Sequence, residues 1–226
     1  MEENKMSEQE SLKIITEMIN KAKPDFHSSG TSAILWGTTI AFCGFMSFAE
    51  RFWNFTIGFD IWWLTFIALI PQIIISGRER KKRKAITHIE AALNAVWIVY
   101  AISIFTLILY LNIVPSVFEK SISTQGSRIM EIISTGASIP FHIFIPSYGS
   151  LFLLLYAIPT LATGLICKFR PMVFAAILCY IFFFISCFTS STYDLLLNGM
   201  AGVFNWLIPG IILKNRYSRL KKTANV

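Results

Sequence analysis

The chain has 226 residues, 54% of them hydrophobic and 15% charged, with a formal net charge of +7 and a mean hydropathy of +0.59. Soluble domains carry about 25% charged residues, so this composition points to a chain whose solvent is lipid. So much apolar surface excludes intrinsic disorder, and four Cys in 226 residues exclude a disulfide scaffold.

Residues 1–30 form a leader. Ser7-Glu8-Gln9-Glu10 has the spacing of a capping box. Beyond it, Leu12, Ile15, Ile19 and Ala22 recur at three- and four-residue steps, with Ile14 and Met18 widening the stripe, and Glu17 stands four residues before Lys21. Pro24 stops the pattern. The spacing predicts an amphipathic cytoplasmic helix. It either lies in the membrane interface or under the bundle, or docks a partner protein through residues 1–23.

Six apolar stretches then follow, each long enough for a bilayer core of about 30 Å: Thr31–Ala49, Asp60–Ser76, Glu90–Asn112, Tyr148–Cys167, Pro171–Ser190 and Asp194–Leu213. None alternates as a barrel strand would, so each reads as a helix. The predicted fold class is all-α: a polytopic integral membrane bundle of six transmembrane helices over residues 31–213. An external loop spans 113–147 and a basic cytoplasmic tail 214–226. The first span is not a signal peptide, because thirty mostly polar residues precede it without a basic n-region.

Six spans put both termini on one side. That side collects seventeen Lys and Arg, against only Arg51, Lys120 and Arg128 on the other. The positive-inside rule makes the heavily basic side cytoplasmic. Its densest stretch is the run Arg78, Arg80, Lys81, Lys82, Arg83 and Lys84, directly after the second span. This run fixes orientation and can attract anionic lipid. Short scattered basic loops do not suit nucleic acid. Thr87-His88-Ile89-Glu90 is a second capping-box spacing and starts the third helix there.

Trp53, Trp62 and Trp63 anchor the outer interface. In the external loop, Ser127–Ser134 is expected to be a short amphipathic helix, and the Pro-interrupted stretch Ser138–Ile145 a lid or interfacial segment. Spans four to six are joined by about three residues each, so those helices are adjacent and antiparallel. Ala33, Gly37 and Ala41, then Ala91 and Ala95, and then Gly199 and Gly202 are small residues at packing intervals. They suit bundle contacts or a dimer face.

Chemistry-bearing motifs are absent. There is no Walker A loop, dinucleotide fingerprint, HExxH helix or GxSxG elbow, so no cofactor, metal or catalytic residue is expected. Cys43, Cys167, Cys179 and Cys187 all fall in spans and read as small apolar groups. Glu50, Asp60, Glu90 and Asp194 stand at span ends, where water is expected to reach them. No soluble segment is long enough for a domain of its own.

What the spans do hold is a set of prolines and a polar layer. Pro71, Pro159 and Pro209 each lie in the cytoplasmic half of an even-numbered span, where a proline frees the carbonyl four residues earlier and kinks the helix. Gln72, Asn94, Thr160, Thr163 and Asn205, with Thr38, share a depth of about 6–12 Å below the inner surface. Amides in hydrocarbon need partners, so these side chains are expected to face one another as interhelical glue or to frame a cavity open to the cytoplasm.

Leu35-Trp36-Gly37, Gly164-Leu165-Ile166-Cys167-Lys168-Phe169-Arg170-Pro171 and Ile208-Pro209-Gly210-Ile211-Ile212-Leu213-Lys214, with the leader Ser11–Ala22, resemble strings in a group of small bacterial six-helix inner-membrane proteins without assigned function. The resemblance implies a bacterial inner-membrane setting and brings no catalytic residues with it. The leading functional expectation is a non-enzymatic accessory, scaffold or regulatory membrane component. It would meet a cytoplasmic or membrane partner through the leader, or its own copies. The alternative is a small permease for a neutral or weakly polar solute, built around Gln72, Asn94, Thr160 and Asn205.

Overall fold

The computed structural model describes residues 30–82, 88–127, 129–132, 136, 138–140 and 147–224. The amphipathic leader helix lies outside them, as do Arg83, Lys84 and most of the Ser138–Ile145 stretch. The described chain is helical: α1 (Thr31–Phe52), α2 (Trp63–Lys82), α3 (His88–Thr124), α4 (Tyr148–Ile166), α5 (Arg170–Ser186), α6 (Ser191–Ala201), a π-helical segment Gly202–Leu207, and α7 (Ile208–Ala224). The α6, π and α7 segments run on without a break as one terminal helix.

Four helices are long and apolar enough to cross a membrane: Thr31–Phe52, His88–Thr124, Tyr148–Ile166 and Ser191–Arg219. The other two predicted spans fall short for physical reasons. α2 runs straight from apolar sequence into Arg78–Lys82, so charge dilutes its hydropathy. α5 is apolar but has only 17 residues.

Several boundaries move outward. The third helix starts at His88, at the second capping box, and continues to Thr124, twelve residues past the expected Asn112 and through Pro115. The terminal helix extends into the basic tail as far as Ala224. Of the expected helix at Ser127–Ser134, Arg128, Ile133 and Ser134 lie outside the described residues, and the rest is not helical. Met130–Ile132 is instead a β-strand (β1), paired antiparallel with Ser138–Pro140 (β2) with Glu131 opposite Ile139. The local sequence accounts for this. Gly126, at φ 76°, ends the preceding helix. Ile132, like Ile129 just before the strand, is a β-branched residue that favours a strand, and Gly136 lies at φ 78°.

Two contacts organise the bundle. α4 and α5 form a tight antiparallel pair, with Gly164 against Val173 and Met172. Along the other seam α1 lies antiparallel to the terminal helix. Gly210 faces Ala33 and Ile34, Gly37 faces Leu207, Gly202 faces Ala41, and Gly44 faces Gly199 and Leu195. A Cβ on Gly202 would lie 2.6 Å from the Ala41 nitrogen, so only glycine lets these backbones approach so closely. The small-residue ladder of the first span is therefore an intramolecular seam. Ala91 and Ala95 are exposed instead.

The core lies between these pairs. Ile40, Leu153, Tyr156, Ala157, Cys179, Phe182, Leu197, Ala201 and Trp206 are buried together. A smaller cluster of Phe169, Met172 and Leu213 closes the end where the α4–α5 turn meets α7. There the Arg216 guanidinium stands 6.0 Å from the centre of the Phe169 ring.

Candidate functional site

Polar groups buried in the bundle fall into two clusters. The first lies mid-bundle, where α4 meets the π-helical segment. Thr160 donates to the Tyr156 carbonyl at 2.8 Å, as a threonine inside a helix commonly does. The Trp206 indole N–H donates to the Thr160 hydroxyl at 3.1 Å. Around this bond the rings of Trp97, Tyr100, Tyr156 and Trp206 pack edge-on or tilted, the closest pair being Tyr156 and Trp206 at 5.0 Å. Such geometry adds about 0.5–1.5 kcal/mol per pair beyond area burial.

Asn205 precedes Trp206 within the π-helical segment and is 1% exposed. Neither end of its carboxamide is hydrogen-bonded, and the buried Thr163 hydroxyl likewise has no partner. The Cys179 thiol lies beside Asn205 and donates to the Leu153 carbonyl at 3.3 Å. The wide turn ends next to Pro209, where the helix must do without one backbone donor.

The five residues of the expected polar layer are thus divided. Thr160, Thr163 and Asn205 are buried on α4 and the π-helical segment. Gln72 sits where α2 meets α1, donating to Ser32 at 3.2 Å and to Ser76 at 3.0 Å, with its carbonyl oxygen buried and unpaired. Asn94 is exposed on α3. Among the prolines, Pro159 and Pro209 are fully buried while Pro71 is half-buried, and α2 and α4 continue through theirs. In the basic run, Arg78, Arg80 and Lys81 are exposed at the end of α2, which Lys82 closes.

The second cluster occupies the opposite end, and here the sequence reading needs correction. Asp194 stands at the start of a span, but water does not reach it: it is 1% exposed. Asn198, one turn later, is 2% exposed. The Asn198 amide nitrogen donates to the Gly149 carbonyl at 3.0 Å and to the Asp194 carbonyl at 2.8 Å. Thr189 donates to Asp194 Oδ1 at 3.4 Å. Asp194 Oδ2 and Asn198 Oδ1 have no partner. The four-residue spacing of Asp194 and Asn198 was visible in the sequence. Their burial depends on Gly149 of α4, where a Cβ would lie 2.6 Å from that of Asp194.

Beside this cluster a cavity of about 250 Å³ is lined by Ser47, Glu50, Arg51, Asp60, Trp62, Tyr148 and Leu195. Glu50 accepts from the Ile57 amide at 2.8 Å and Asp60 caps the Trp62 amide at 3.0 Å. Arg51 donates to Ser191 at 3.1 Å and to the Tyr148 hydroxyl at 3.0 Å. From the sequence, Glu50, Asp60, Arg51 and Trp62 are visible only as groups at span ends and interfaces, not as a site.

Among the described residues, no three His, Cys, Asp or Glu side chains gather as a metal site requires. No family model, no curated protein and no solved structure matches the chain.

Proposed function

We propose that the chain is a six-span protein of the bacterial inner membrane with both termini cytoplasmic, acting as a non-enzymatic accessory or scaffold component through α3. The placement of Gly30 against Gly210, Leu213 and Lys214, with Arg216 over Phe169, supports the orientation. The start of α1, the α4–α5 turn and the basic helix end share one end of the bundle.

The observation that carries the reading is α3 itself. It is the longest helix, at 37 residues, yet it buries only Leu93. It makes most of its contacts with α4, and Ile98, Val99, Ile102, Phe105 and Leu109 are exposed. Lipid tails are as apolar as leucine, so helix association depends on shape rather than on hydrophobicity. Most of the α3 circumference is open to another membrane-embedded chain.

Gentle-detergent purification with mass determination tests this. The expected result is a complex of defined stoichiometry that dissociates when Val99, Ile102 and Phe105 are replaced by Ala. A second arm removes residues 1–23 and asks whether the leader adds to partner choice. A lone protomer that α3 variants leave unchanged would refute the proposal.

A second reading, a small permease, is favoured by one feature: the unbonded Asn205 carboxamide and Thr163 hydroxyl deep in the bundle. If it holds, Asn205→Leu abolishes solute uptake, whereas uptake intact in that variant removes the site from consideration.

A further inference from the structure

Asp194 and Asn198 pose a problem of charge. A carboxylate withdrawn from water in a helix bundle is costly unless a counter-charge or donors offset it. Asp194 is 1% exposed and its Oδ2 is without a partner. Among the described residues, the basic side chain in the wall of the adjoining cavity is Arg51 of α1, and its guanidinium is directed to Ser191 and Tyr148. From the other elements packed around the pair, the Thr189 and Ser147 hydroxyls are within hydrogen-bonding reach of Asp194, and neither brings a counter-charge. Among the described residues, the acids Glu50 and Asp60 stand in the cavity wall beside Arg51.

Asn198 sharpens the problem. Its nitrogen is fully used in two bonds, so its Oδ1 is left as a second buried acceptor lacking a donor. Both side chains sit over Gly149, whose added Cβ would meet Asp194 at 2.6 Å and Asn198 Nδ2 at 3.3 Å. Two unfilled oxygens, one of them acidic, thus lie one helical turn apart. The cavity is close by in the chain: Leu195 and Tyr148 of its wall adjoin Asp194 and Gly149 in sequence.

We infer that Asp194 and Asn198 form a binding site for one small monovalent cation, a proton or a sodium-sized metal ion. A bound proton forms an O–H bond on Asp194 and provides a donor for a neighbouring oxygen. A sodium ion is coordinated by the carboxylate and the carboxamide oxygen, with the Ser147 and Thr189 hydroxyls at hand, and all of these are hard oxygen ligands. The site is independent of the role proposed for α3.

The test is thermal unfolding of the full chain in detergent or nanodiscs. NaCl is exchanged for choline chloride at constant ionic strength, and pH is varied separately in choline. If sodium is the ligand, Tm rises by several degrees with NaCl, because only the folded state binds it. If the ligand is a proton, sodium has no effect and Tm falls as pH rises, because the folded state then holds more protons than the unfolded one. In either case Asp194→Asn, which keeps the shape and removes the charge, flattens the response. Should that variant not yield folded protein, Asn198→Gln is read in its place, with a weakened response expected. A wild-type Tm insensitive to both, or a response undiminished in the variant, overturns the inference.

Discussion

α1 and α3 are both long apolar helices, yet they meet their surroundings in opposite ways. α1 buries Gly37, Ile40, Ala41, Cys43, Gly44 and Ser47 along one stripe, whereas α3 buries only Leu93. Hydrophobicity does not separate them; α3 is if anything the more apolar. Shape does. α1 offers Ala33, Gly37, Ala41 and Gly44 at three- and four-residue steps to glycines on the terminal helix. Past Ala95, the exposed large side chains of α3 as far as Phe118 include Ile98, Val99, Ile102, Phe105, Leu109 and Tyr110. In lipid, close backbone approach is a main source of helix adhesion. The seam is therefore the closely packed part of the molecule, whereas α3, like α2 with only Ala68 buried among the described residues, keeps most of its surface open.

The strongest challenge to this contrast is Gly37→Leu. The new side chain would overlap the Leu207 backbone, and overpacking of this kind costs roughly 3 kcal/mol or more. Thermal unfolding in detergent should show a large drop in Tm or no folded protein, and a near-normal Tm would break the seam. A smaller effect sharpens the link between the seam and the core. Trp206→Phe deletes the bond to Thr160 and should cost about 1–2 kcal/mol, a Tm loss of about 2–8 °C for a chain of this size. The least effect is expected at α3. Ile102 is exposed, so Ile102→Ala should change stability of the isolated chain by less than about 0.5 kcal/mol. A fall comparable to that of Trp206→Phe would mean that α3 is part of the core.

The helices were legible in the sequence because an apolar run must satisfy its backbone internally, and only a helix does so alone. Their ends were not. α3 and the terminal helix continue past the apolar stretch, since hydropathy reports the solvent and not where hydrogen bonding stops. The strand at Met130–Ile132 was misread as helical because apolar residues close together carry no period of their own. For the polar residues, azimuth was not readable. Thr160, Thr163 and Asn205 face inward, whereas Asn94, at similar expected depth, faces outward. Asp194 was misjudged for a related reason. Position at a span end suggests water, but Gly149 on a neighbouring helix brings the two backbones close enough to cover it, and no local pattern around Asp194 records that.

The central claim is that α3 is the face open to another chain while the remaining apolar surface meets lipid. Site-specific photo-crosslinking in the native membrane compares two exposed positions directly, Ile102 on α3 and Phe174 on α5. A crosslinker at Ile102 should give one protein adduct of defined mass, at yields matching the purified complex, and one at Phe174 should give lipid adducts. Lipid adducts alone at both positions would contradict the account and leave α3 as a helix held by α4, the Trp206 ring and the bilayer.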